Sequence, residues 1–389
     1  MRDAPALAPA DARRFLLGQL GLSGRRRRGG PKAVATLLAE RRAIQLDPLD
    51  PCAGKNPELV AMARLRLRRT DLFRHAYAGR PKLAFEHFAK ERCLLPRSAF
   101  SAYRAQAMET PWWRLRQRRE RVSPALLDAV EAEVRDRGPL TARQLSDHGR
   151  VEPLDWSGWK STSKAASMAL AVLWTQCRLV VAGRRPEGKV FDLPERALGP
   201  LEAFEGDFTQ WALHERVEAA GLLGRAGGPC WSMLASARKA ELAEAEVAAG
   251  RLEAVRVGRR RYYAPPGFRE RRFRRDDDGA MRLLGPLDPL LWDRRLVHDA
   301  FGFEYLWEVY KPAAKRRWAW YVMPLLHEGR LVGRLSAHRE GGTLVVDGLW
   351  RENAPLDRRS LRALLEDHAE RCGLVSVARV PRARTNPPR

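Results

Sequence analysis

An α+β fold, built from tandem helix and hairpin units and closed by a small antiparallel sheet or barrel with one covering helix, is what this sequence predicts. Three observations carry that expectation. Helical periodicity gives way to a β-hairpin in the middle of the chain, and the same order returns roughly eighty residues further on. Beyond Asp276-Asp-Asp278-Gly279 the pattern changes to short β-rich runs separated by turns.

The first clear unit begins at Ser123-Pro124, where Leu126, Leu127, Val130 and Val134 recur at helical spacing until Gly138-Pro139 stops the helix. Thr141 to Leu145 reads as a short helix capped by Thr141, and Ser161 to Cys177 as a longer one. Leu179 to Ala182 and Lys189 to Leu193 are β-rich runs about an Arg-rich Pro/Gly turn, Gly183 to Gly188. Helix, helix, recognition helix and hairpin is the order of a winged helix. The second unit repeats it, with helices over Phe208 to Ala220 and Met233 to Ala249, and strands Leu252 to Val257 and Arg260 to Ala264 about Gly258. A weaker copy opens the chain, with helices Ala10 to Leu20 and Pro31 to Arg42 and a strand Ala43 to Asp47.

In the last third, Phe303 to Tyr310, Trp318 to Met323, Arg330 to Leu335 and Thr343 to Leu349 have strand character, and Leu356 to Arg371 is the closing helix. Arg379 to Arg389 reads as a loose tail. The expected division is therefore 1–120, 121–200, 201–280, 281–378 and 379–389, with three winged helices preceding a β-rich domain.

The 389 residues carry 71 Lys+Arg against 47 Asp+Glu, a formal net charge of +24, with 45% hydrophobic residues. That apolar fraction excludes a disordered basic tail, and the excess positive charge attracts polyanions, of which nucleic acid is the commonest. The longest apolar run, Met168 to Trp174, is far short of the ~20 residues a membrane span requires. The N-terminus does not read as a secretory signal, and Cys52, Cys93, Cys177, Cys230 and Cys372 lie far apart without a CxxC, which fits reduced thiols in a cytoplasmic, nucleoid-associated protein. The histidines form no HxxxH or HExxH pattern, so no metal and no cofactor is expected.

Duplex DNA is the expected partner of a monomeric chain. Winged helices meet phosphate with the start of the recognition helix and with the hairpin, which selects Lys160 and Lys164 at the helix and Arg184, Arg185 and Lys189 on the first wing. Arg259, Arg260 and Arg261 occupy the second wing. The run Arg25 to Arg28 beside Gly-Gly reads as a mobile exposed loop, and Trp307, Trp318 and Trp320 as core aromatics.

One short segment carries chemistry. If Ala43 to Asp47 is extended, Gln45 and Asp47 share one side while Ile44 and Leu46 face the core. A carboxylate and an amide so placed can deprotonate a water, with Asp47 as base, and orient it or stabilise charge at the reacting carbon, with Gln45.

On these residues the chain resembles the winged-helix DNA glycosylases that unhook interstrand crosslinks, the YcaQ-like and AlkZ-like group. Their Gln-aliphatic-Gln or Gln-aliphatic-Asp motif is matched by Gln45-Leu46-Asp47. Further matches are Phe85-Glu86, Leu95-Pro96, Gly138 to Ala142, Val190 to Glu195, Leu284 to Arg295, Phe301-Gly-Phe303, Pro312 to Arg317, Met323 to Leu326 and Leu331 to Arg334. Where relatives carry paired histidines after the motif, this chain reads Pro48 to Pro57, and Lys90 stands where they often have a histidine. The resemblance implies three winged helices around duplex DNA and hydrolysis of the N-glycosidic bond of N7-alkylguanine or crosslinked nucleotides, without full base flipping. The base, already cationic, leaves readily, so an acid and an amide suffice to deliver water to C1′ of an oxocarbenium-like sugar. A non-catalytic winged-helix protein that binds distorted duplex is the alternative.

Overall fold

The computed structural model describes residues 4–107, 113–152, 163–274, 276, 279–353, 356–378 and 380–386, and it has the expected α+β class. The chain divides into two compact units, Met1–Leu72 with Ala212–Arg389, and Phe73–Trp211. Among the described residues no helix is long and apolar enough to cross a membrane.

In the first unit, helix Pro9–Gln19 starts with proline at its first turn and buries Ala12, Phe15, Leu16 and Leu17. These pack with Val255, Val257, Tyr262, Leu296 and Val297 in one core. The hairpin Glu253–Val257 and Arg260–Ala264 turns at Gly258, whose φ of 57° favours glycine. Ala6–Leu7 pairs parallel to Arg256–Val257, and Leu223–Gly224 antiparallel to Tyr262–Tyr263, completing a four-stranded sheet.

A second core lies under an antiparallel meander of Arg282–Leu283, Met323–His327, Arg330–Glu340 and Thr343–Arg351. Helix Arg358–Arg371 covers it, buries Leu361, Leu364 and Leu365, and starts at Asp357, whose carboxylate accepts from the amides of Arg359 and Ser360. Each such leucine contributes about 1.5–3 kcal/mol of burial. Arg384–Thr385, within the tail expected to be loose, pairs parallel to Trp350–Arg351.

Several expected elements differ. Met233 to Ala249 is not one helix but two, Ala235–Lys239 and Leu242–Ala248, because the chain turns at Glu241 in a left-handed conformation that propensity alone does not reveal. Phe303 to Tyr310 and Trp318 to Val322 are not strands. The buried Glu308 carboxylate accepts from the amides of Arg317 at 2.9 Å and Trp318 at 2.9 Å, so a side chain takes the place of a ladder. Arg334 is held between the rings of Phe303 at 4.1 Å and Trp318 at 4.0 Å, which accounts for the burial of Trp318, whereas Trp320 is 38% exposed. Arg25 to Arg28 is not a wholly mobile loop: Arg27–Arg28 pairs with Leu65–Arg66, and Arg27 grips Glu40 with two bonds of 2.7 Å.

In the second unit, Ala84–Phe88 and Arg92–Pro96 form a hairpin. Helix Pro124–Arg137 has the expected span and is capped by Ser123, which accepts from the amide of Leu126 at 3.1 Å. Thr141 to Leu145 is not the expected helix. Leu140–Thr141 is a strand paired with Val190–Phe191, and the chain then turns, with the Gln144 side chain accepting from the Thr141 amide at 2.9 Å. Helix Ala165–Thr175 and hairpin Val180–Arg185 with Gly188–Asp192 follow, and Ser161, expected in that helix, lies outside the described residues.

Candidate active site and nucleic-acid interface

Gln45 and Asp47 both belong to the first unit. Helix Pro31–Arg41 ends at Arg42, whose φ of 58° is left-handed, and the chain emerges as the short strand Ile44–Gln45. The expected five-residue strand is two residues long because Pro48 follows so closely and the Asp47 carboxylate turns back to accept from the Leu49 amide at 3.0 Å. Ile44 is fully buried as expected, but Gln45, at 7% exposed, is buried as well, so burial does not alternate along this segment. Asp47 is half-buried, so of the two polar side chains the carboxylate is the more open to solvent.

Distant residues hold this strand. Asn56, fully buried, donates to the Gln45 carbonyl at 2.9 Å and accepts from the Leu287 amide at 2.9 Å. A β-carbon at Gly285 would lie 2.6 Å from the Asn56 oxygen, so only glycine admits this bridge. One residue beyond Leu287, Asp288 receives both arms of Arg64 at 2.7 and 2.9 Å, and Arg64 also donates to the carbonyls of Leu20 and Val60. With both partners buried, this pair fixes the Leu284 to Pro289 loop beneath the strand. Burial, followed by the charges of Cys52 and Asp47, raises the Tyr321 phenol well above its usual range, and its hydroxyl has no hydrogen-bond partner among the described residues. The sequence motif pointed to Gln45 and Asp47 but not to Asn56 or Arg64. Asp288 stood inside the Leu284 to Arg295 block, and only its distant partner reveals its task.

The basic residues selected for DNA contact divide into two groups. In the second unit Glu86 is buried, and Arg184 bonds one of its oxygens while Lys189 approaches the other at 3.5 Å. Burial pushes the Glu86 carboxyl up, but Lys189, Arg184 and Arg92 outweigh it and the net shift is downward. In the first unit Arg260 grips Asp299 with bonds of 2.5 and 2.6 Å, and Arg261 grips Glu244 at 3.0 and 2.8 Å. Lys164, at the N-cap of helix Ala165–Thr175, and Arg185 and Arg259 are exposed and pair with no carboxylate among the described residues. Lys160 lies outside the described residues.

Among the described residues no group of three His, Cys, Asp or Glu side chains could hold a metal ion, and all five cysteines are buried and outside any disulfide.

The architecture is similar to that of a solved DNA glycosylase. The two share 18% identity over 98% of this chain and 100% of the other, AlkZ of Streptomyces sahachiroi, with a TM-score of 0.60. Residues 19–374 match the family described as DNA glycosylase AlkZ-like, and the chain belongs to that family.

Proposed function

We propose that this DNA glycosylase is monofunctional and hydrolyses the N-glycosidic bond of N7-alkylguanine or interstrand-crosslinked nucleotides in duplex DNA, with Asp47 activating water. The observation that carries the reading is the unequal setting of the pair: a half-buried carboxylate two residues from a nearly covered glutamine whose backbone carbonyl is pinned by Asn56. A carboxylate that still reaches solvent suits a base that exchanges protons with water. A covered amide on a backbone held by Asn56 suits orienting that water or stabilising the sugar cation, since a preorganised dipole needs little rearrangement during reaction. The departing base is already cationic and needs little acid assistance. Three winged helices over 1–120, 121–200 and 201–280, followed by the β-rich segment 281–378 and the tail 379–389, form the binding frame, and Lys164, Arg185 and Arg259 are its unpaired phosphate contacts.

Abasic-site formation on duplexes carrying N7-methylguanine tests the reading. Asp47→Asn should lower the single-turnover rate by about 10²–10⁴-fold, the usual scale of a general base, and Gln45→Ala should lower it without abolishing duplex binding. Activity untouched by both substitutions removes the assigned site. Wild-type protein that binds duplex but releases no base from any alkylated substrate favours the binding role instead.

A further inference from the structure

The first unit contains a cleft of about 470 Å³ whose walls hold eight arginines and two glutamates. Both acids are already occupied: Glu40 by Arg27, and Glu218 by Arg271 at 2.7 and 2.8 Å. Arg41 is the unusual member. It ends helix Pro31–Arg41, is 2% exposed, and gives one nitrogen to the Gln19 carbonyl. Its Nε and Nη1 are buried and have no hydrogen-bond partner among the described residues. A guanidinium taken out of water with two donors unmet is costly, and a bound anion removes that cost. Burial, followed by the nearby Arg64, brings its pKa down to about 9, so the charge persists at neutral pH in a field that favours an incoming anion. On the rim, Arg25 and Arg272 are exposed and neither guanidinium pairs with a carboxylate among the described residues, the Asp276 carboxylate meeting Arg25 only at its backbone amide.

We propose that this cleft seats a phosphate group of the DNA backbone, with Arg41 as its buried anchor and Arg25 and Arg272 as its outer contacts. The assignment rests on the DNA glycosylase reading for the identity of the partner, and on the unmet donors for the chemistry of the ligand. A planar guanidinium presents paired N–H groups to phosphate oxygens, which a lysine at the same place would not. The cleft is separate in sequence from both wings, so it would hold the duplex through a surface that the winged-helix pattern does not indicate.

Two measurements on the full chain test this. The first is thermal unfolding with and without pyrophosphate, for wild type and Arg41→Met. The second is duplex binding by fluorescence anisotropy across a potassium chloride series, for wild type, Arg41→Met, Arg25→Ala and Arg272→Ala. The proposal expects pyrophosphate to raise the wild-type Tm and not that of Arg41→Met. It also expects each substitution to weaken duplex binding several-fold, with the slope of log K against log salt falling by about 0.9 per lost contact. At saturating duplex, base release by Arg25→Ala and Arg272→Ala should keep its kcat while KM rises. Should Arg41→Met fail to fold, the two exposed rim variants decide the question. Pyrophosphate stabilisation with unchanged duplex binding in all three variants would assign the cleft to a free phosphate compound and overturn the proposal. So would the absence of any effect in both measurements. Wild type that binds no duplex while pyrophosphate still raises its Tm would overturn the glycosylase reading and the DNA assignment, yet leave an anion seat at Arg41.

Discussion

Asn56→Ala should destabilise the protein and impair base release together. The Asn56 side chain is fully buried and its two bonds, each 2.9 Å, end on the Gln45 carbonyl and the Leu287 amide. Truncation leaves both backbone groups without these partners in a tight interior, where a β-carbon at Gly285 would lie only 2.6 Å from the lost oxygen. At about 1–3 kcal/mol for each buried group left unsatisfied, the cost is about 2–6 kcal/mol. Asn56→Asp separates the two bonds. The acceptor for Leu287 is retained, but an oxygen replaces the donor to Gln45, and a carboxylate there faces a carbonyl. Protonation restores a donor, so the new carboxyl has a raised folded-state pKa, and its stabilising contribution is present at low pH and lost as pH rises through that value. Urea unfolding at pH 5 and pH 8, with single-turnover base release at each pH, reads both effects. A loss under about 1 kcal/mol for Asn56→Ala, or an Asn56→Asp stability independent of pH, would refute the claim that this bridge carries the strand.

Two further outcomes follow from the same kind of accounting. His87 is buried, donates from Nε2 to the Thr175 carbonyl at 3.0 Å, and is brought down to about 4 by burial, partly offset by that bond. Its neutral form is bound in the fold, so stability should be full above about pH 6.5 and fall by about 3 kcal/mol as pH drops toward 4; a His87→Phe variant with the same acid profile as wild type would contradict this. On the second wing, Arg259→Ala should weaken duplex binding and reduce its salt slope with little change in Tm, whereas Arg261→Ala should lower Tm by removing two bonds to the Glu244 carboxylate, which then keeps Tyr263 and Arg225 as partners. Equal effects of the two substitutions on anisotropy and on thermal unfolding would argue against the division of these arginines into free and paired.

Much of the local structure was legible before any coordinates. Ser123-Pro124 and Gly138 bracket a helix because a hydroxyl cap starts the first turn and glycine ends the last. Gly258 marks a hairpin because its backbone conformation disfavours other residues. Failures came where a side chain from another segment, or a backbone conformation that no residue type announces, replaced a local rule. Glu308 satisfies the amides that would otherwise have joined a sheet, and Glu241 turns a segment with no proline or glycine to announce a break. At the candidate site, Gln45-Leu46-Asp47 could be found from the sequence, while Asn56 could not, since nothing in Asn56-Pro57 distinguishes a bridge from an ordinary helix start.

The sequence by itself determined the charge, the order of helices and hairpins, the acid and amide two residues apart, and the resemblance to a glycosylase family. Only the tertiary structure decided which arginines remain available. Arg64 meets Asp288 across 224 residues, Arg184 meets Glu86 across 98, and Arg260 meets Asp299 across 39. Ion pairing depends on proximity in space and on burial, neither of which one-dimensional spacing encodes. Composition therefore reports an arginine-rich chain, and folding alone separates the guanidinium groups held by carboxylates from those that pair with none among the described residues.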